Sequence, residues 1–122
     1  MTCIFDPRNS QYKTPYGAVT CGEKIAITLR PDRSEDFSEC ALLLYEEFAE
    51  AYWEVALTLS GREGEQILFT GSYDAPDQPE LIWYGFRLRR ENGETVWLGK
   101  NGLCAEKELT PWQQTVYDGS LP

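Results

Sequence analysis

Trp83 is the side chain best placed to do chemistry in this sequence. In the run Leu81-Ile82-Trp83-Tyr84-Gly85-Phe86-Arg87-Leu88, alternation puts Trp83, Gly85 and Arg87 on one face of a strand and Ile82, Tyr84, Phe86 and Leu88 on the other. An indole on the open face beside a glycine keeps its π-surface uncovered. Such a surface suits the C–H-rich face of a pyranose ring, and a nearby guanidinium can donate to the ring hydroxyls. The competing role for Trp83 is packing under a loop or against a neighbouring domain. Tyr52 points outward beside an inward Trp53, and Tyr73 falls in the longest loop; each is either a further aromatic contact or a structural tyrosine. Trp112 and Tyr117 lie on the exit segment, where they would plug the end of the domain or meet an adjoining one.

Other chemistries are poorly supplied. The sequence has no histidine, which excludes a Ser-His-Asp set and a Cys-His nucleophile. Cys3, Cys21, Cys40 and Cys104 are scattered without a paired-Cys zinc spacing; they read as small buried hydrophobes, or as one disulfide joining Cys3 to Cys21 or Cys104. The acid pairs Glu46/Glu47, Asp74/Asp77 and Glu106/Glu108 have the composition of a glycosidase carboxylate pair, but nothing places any of them in a cleft. Asp6, Asn9 and Asp36 could offer oxygens to calcium, although their spacing matches no defined loop. No metal or other cofactor is therefore expected.

Twenty acids against eleven bases give a formal net charge of −9, the wrong sign for nucleic acid or an anionic membrane surface. A neutral partner such as a polymer suits this balance better. No apolar run approaches the roughly 20 residues of a membrane span. Met1 is followed by neither a basic segment nor a long apolar one, so the chain is expected in the cytoplasm if Met1 is its natural start, and outside the cell otherwise.

The elements that must position these groups are strands. Lys24 to Arg30 alternates, with Ile25, Ile27 and Leu29 on the buried face. Cys40 to Tyr45 is apolar on both faces, as in a central strand. Tyr52 to Ser60 alternates with Trp53, Val55, Leu57 and Leu59 inward, and Gly61 to Gly64 reads as a turn. Gln66 to Thr70 is a further strand, followed by a loop from Gly71 to Pro79. Asn92-Gly93 predicts a two-residue hairpin turn that pairs Leu88 with Trp97 and so puts Trp97 in the core beside Tyr84 and Phe86. Seven or eight short strands with almost no helical periodicity predict an all-β, immunoglobulin-like antiparallel β-sandwich.

Three blocks carry a family resemblance: Phe5-Asp6-Pro7-Arg8-Asn9-Ser10 through Pro15-Tyr16-Gly17-Ala18; Leu81 to Leu88, then Asn92-Gly93-Glu94 and Leu98-Gly99-Lys100-Asn101-Gly102; and the tail Pro111 to Pro122. In that order they resemble the amino-terminal modules of neopullulanase-like and amylopullulanase-like enzymes of the α-amylase superfamily (glycoside hydrolase family thirteen), some of them classed as carbohydrate-binding module family thirty-four. The resemblance implies an accessory β-sandwich at residues 1–118, with 119–122 opening a linker to a catalytic barrel. It implies α-glucan and the barrel as partners, or a purely structural domain that docks the barrel or a second subunit. The parent would act on α-glucans, but no catalytic residue carries over, because the barrel signatures are absent and a barrel needs about 250 residues. A generic immunoglobulin-like recognition domain is the third reading.

Overall fold

Dense alternation of apolar and polar residues builds the strands that carry the core. The computed structural model describes residues 4–107 and 109–119. It contains β1 (Lys13–Thr14), β2 (Val19–Thr20) and β3 (Lys24–Leu29), a 3-10 turn at Arg33–Glu35, then β4 (Phe37–Glu46) and β5 (Ala51–Glu63). These are followed by β6 (Gln66–Asp74), β7 (Glu80–Arg90), β8 (Thr95–Gly99), β9 (Gly102–Cys104) and β10 (Trp112–Tyr117). Among the described residues there is no α-helix, and no helix long and apolar enough to cross a membrane. The chain is an all-β, immunoglobulin-like sandwich, antiparallel apart from a parallel contact between β10 and β2.

The strand order β1-β3-β6-β5-β4-β7-β10-β2 folds over on itself at β5. The first part of β5, from Ala51 to Leu57, pairs with β4; from Thr58 onward it pairs with β6. One layer is thus β1, β3, β6 and the end of β5, and the other is the start of β5, β4, β7, β10 and β2. The second edge of β7 is shared, with β10 on its first half and β8 on its second. Ile25, Ile27, Leu29 and Phe69 of the first layer form one buried cluster with Leu42, Leu44, Phe86 and Leu88 of the second. Each contributes about 1.5–3 kcal/mol relative to leaving it exposed. Gly71 lets the layers meet at the fold, because any Cβ there would collide with the side chain of Leu57.

Several expectations need correction. The hairpin between β7 and β8 is not a two-residue turn. Arg89 pairs with Thr95 and Arg87 with Trp97, and Gly93 (φ 91°) is left-handed, its N–H bonded to the Arg90 carbonyl at 2.9 Å. This is a three-residue loop with a glycine bulge, which slips β8 by one residue. Val96 and Leu98 therefore enter the core, and Trp97 goes to the outer face. The faces of β7 are unaffected, since its own large apolar residues fix them.

Gly61 to Gly64 is not a turn throughout: β5 runs to Glu63, with an irregularity between Leu59 and Gly61. Leu59, expected inward, is 51% exposed. Residues 71–74 are not loop but the end of β6, held by pairing with β3. Trp53 and Val55, expected in the core, are only partly buried against it. Cys21, Cys40 and Cys104 carry free thiols; Cys3, the proposed partner for two of them, lies outside the described residues. So do Glu108 and residues 120–122, most of the expected linker.

Candidate functional site: the outer aromatic face

The outward residues of the β5-β4-β7 layer form a face of their own. Tyr45 on β4 is directly opposite Tyr52 on β5 and Trp83 on β7. Directly opposed residues share a face, with Cβ atoms about 4.5–5.5 Å apart. Three aromatic rings therefore stand in one row across three strands. Tyr52 is 53% and Tyr45 38% exposed, and Trp83 is half-buried.

The next row is Glu54, Leu43 and Gly85, and the row after it Ala56, Ala41 and Arg87. Arg87 and Glu54 meet diagonally: Nη1 donates to Oε1 at 2.8 Å and Nη2 to Oε2 at 3.0 Å, a bidentate fork. The Tyr52 hydroxyl donates to the same Oε1 at 2.9 Å. The Arg87 fork, then the Tyr52 bond, hold the Glu54 carboxyl down at about 2. Burial, then the bond to Glu54, raises the Tyr52 phenol. The bond to Glu54 in turn raises Arg87. The row of rings is thus flanked by a fixed, fully ionised pair that holds Tyr52 in place.

The stretch 109–111 lies over part of this face. Gly85, expected to leave Trp83 uncovered, is itself covered: a Cβ there would come within 2.7 Å of a Leu109 methyl group. Gly99 admits the backbone of Thr110, whose carbonyl accepts from Lys100 N–H at 2.7 Å. A shallow pocket of about 210 Å³ remains between Leu43, Tyr45, Tyr52, Trp83, Lys107 and Leu109. The Lys107 ammonium lies 5.9 Å from the centre of the Tyr52 ring, within cation–π range.

Of the residues singled out in the sequence, Trp83, Tyr52 and Arg87 share this face. Tyr73 does not. It is on the inner face of β6, 5% exposed, edge-on to Trp53 at 5.5 Å, so its ring is unavailable to a ligand from solvent. Its phenol is pushed up by burial. Trp112 faces inward as well, stacked on Tyr84 at 5.9 Å and edge-on to Phe5 at 5.0 Å, where it closes one end of the core. Tyr117 is on the opposite face of β10 and 48% exposed, so Trp112 and Tyr117 cannot share one flat contact.

Tyr45 was the residue missed. Its signal was present, since it ends a run apolar on both faces, and the outer half of such a run must cover something or be covered. The oxygens suggested for calcium are used locally: Asp6 accepts from Arg8 N–H at 3.0 Å and Asn9 from Gln11 N–H at 2.9 Å. Among the described residues no three Asp, Glu or Cys side chains gather as a metal site. Asp74 is paired with Lys24 at 3.4 Å on the exposed surface.

Neither a family model nor a curated protein matches the chain in sequence. Among solved structures it is similar to a cyclomaltodextrinase, with a TM-score of 0.68 over 89% of this chain at 15% identity. The chain spans only 18% of that protein's length. At that identity the likeness is one of fold.

Proposed function

We propose that this chain is a non-catalytic accessory module of a glycoside hydrolase acting on α-linked glucose polymers, with the Trp83–Tyr45–Tyr52 row as its sugar-contacting surface. The observation that carries this reading is the row itself, three aromatic side chains aligned across adjacent strands on a face that solvent reaches. Strand spacing of about 4.8 Å spreads the row over roughly 10 Å, enough for two or three pyranose rings laid across the strands. The Arg87–Glu54 pair beside it has guanidinium N–H groups and carboxylate lone pairs beyond those used in its own fork to offer to sugar hydroxyls. The architectural likeness to one part of a cyclomaltodextrinase supports placing such a module in an enzyme of that kind.

A second reading, a structural domain that docks a catalytic barrel or another subunit, has its own support. Phe48 is 68% exposed at the tip of the β4–β5 hairpin. That tip is held firmly: the buried Glu80 carboxylate accepts from Phe48 N–H at 2.8 Å and Ala49 N–H at 3.1 Å. Affinity electrophoresis in soluble starch, glycogen and pullulan separates the two. Retardation that maltooligosaccharides relieve, and that Trp83→Ala or Tyr45→Ala abolishes, supports the sugar surface. Unchanged mobility in all three polymers favours docking.

A further inference from the structure

A second cavity, bordered by β10, whose Gln113 pairs with Trp83, has the opposite electrostatic character to the chain as a whole. It measures about 370 Å³ and is lined by Arg8, Lys13, Lys100, Trp112 and Gln114 among others, with no carboxylate among the described residues of its wall. The chain has only eleven bases against twenty acids. Six of the bases, Lys24, Arg30, Arg33, Arg87, Arg89 and Arg90, are engaged in ion pairs. Of the five that form no salt bridge among the described residues, three converge on this one cavity.

Lys13 is the most telling of them. It is 2% exposed, and its ammonium donates to the carbonyls of Pro15 at 2.8 Å and Gly17 at 3.5 Å. Carbonyl dipoles satisfy N–H groups but do not neutralise the charge, and a desolvated cation without an anion is costly. The carboxylate that Lys13 senses is Glu23, which is already occupied by the Thr20 N–H at 3.0 Å and the Thr20 hydroxyl at 3.1 Å. The wall is also built rather than accidental: the buried Gln114 donates to the Gly17 carbonyl at 2.8 Å and ties the β1–β2 connection to β10. The cavity thus joins one desolvated ammonium, held by carbonyls, to two exposed cations, Arg8 and Lys100.

We propose that this cavity binds a phosphoryl dianion, with Lys13 at its buried wall and Arg8 and Lys100 at its rim. A guanidinium fork matches two phosphoryl oxygens, and the two ammonium groups act as point charges on the others. Neutral sugar hydroxyls would gain nothing comparable from three cations, so the site is chemically distinct from the aromatic row.

The test is calorimetric titration of the intact chain with inorganic phosphate and, separately, with glucose 1-phosphate, at constant ionic strength set by chloride. The expected result is saturable binding with a dissociation constant of about 1 mM or tighter. The Arg8→Gln/Lys100→Gln variant, whose substitutions are both at exposed positions, should bind at least roughly ten-fold more weakly with an unchanged circular dichroism spectrum. Arg62→Gln, a charge change on the far hairpin, should leave binding as it was. Tighter binding of glucose 1-phosphate means the phosphoryl group arrives on a carrier; equal binding means free phosphate is enough. No saturable heat up to about 50 mM of either ligand, or an Arg8→Gln/Lys100→Gln variant that binds like the parent, overturns the proposal.

Discussion

Lys13 makes a prediction that can be worked through in numbers. Burial, offset in part by Glu23, lowers its ammonium from 10.5 to about 8 in the folded chain. Below pH 8 folded and unfolded chains both hold the proton, and stability does not vary with pH through this group. Between 8 and 10.5 the unfolded chain holds more protons, so stability rises with pH. At 1.36 kcal/mol per pH unit the full effect is about 3.4 kcal/mol, of which about 1.3 kcal/mol is gained by pH 9. Cys40 works against it: burial holds its thiol above its ordinary 9.0, so above pH 9 the folded chain keeps a proton that the unfolded chain loses, and stability falls. The parent curve should therefore climb and then flatten, whereas Lys13→Met should show only the fall. Urea unfolding at pH 7.0 and 9.0 in phosphate-free buffer measures both. With a slope near 2 kcal/mol/M, the parent midpoint should move upward relative to the variant by roughly 0.6 M. Parallel midpoints for parent and variant over that range would refute the desolvation argument, and with it the claim that Lys13 is an incompletely compensated buried cation.

Four further outcomes follow from the geometry. Trp83→Ala should cost the domain less than about 1 kcal/mol, whereas Phe86→Ala, at a fully buried site, should cost about 3–5 kcal/mol; comparable losses in thermal melts would mean the outer face has been misassigned. Gly99→Ala puts a Cβ 2.8 Å from the Thr110 backbone nitrogen, so it should cost about 1–3 kcal/mol and speed amide exchange at Lys100; an unchanged exchange rate would count against it. Glu54 is held down at about 2, so its contribution is present above its unfolded value near 4.5 and is lost as pH falls from there towards 2. Because the pair is more than a third exposed, the parent's advantage over Glu54→Gln should be under about 1 kcal/mol at pH 7 and vanish in acid melts. Glu80→Gln replaces a carboxylate that accepts from three backbone N–H groups; it should cost roughly 1–3 kcal/mol and broaden the NMR signals of Phe48 and Ala49 while leaving the core signals in place.

The strands of the core were legible because their signal is local and redundant. Ile25, Ile27 and Leu29 alternate cleanly, and β7 carries enough large apolar residues on one face to fix its orientation whatever its hairpin does. The β8 register was not legible, because Asn-Gly serves both a two-residue turn and a three-residue loop with a bulge. One residue of difference sends Trp97 to the other side. Tyr73 was hidden for another reason: Gly71 and Ser72 look like loop, yet long-range pairing with β3 overrides that local bias. The period-two run Phe69, Gly71, Tyr73 was the available clue. The aromatic row needed the mutual register of β5, β4 and β7, and no single segment encodes that. The cationic cavity needed more still, since Arg8, Lys13 and Lys100 are far apart in sequence and nothing in their surroundings marks them.

The passage of β5 from one layer to the other bears on how the domain can come apart. A sandwich whose layers are linked only by loops can lose one sheet while the other survives. Here Ala51 to Leu57 belongs to one layer and Thr58 to Glu63 to the other, without a break between them. Peeling away either layer would strip half the pairing from a continuous strand and expose Leu57, seated on Gly71 at the bend. The smallest opening that frees one sheet therefore frees both. Slow-exchanging amides on Ile27 and Leu42, in opposite layers, should share a single opening free energy and a common denaturant slope, the signature of one foldon rather than two.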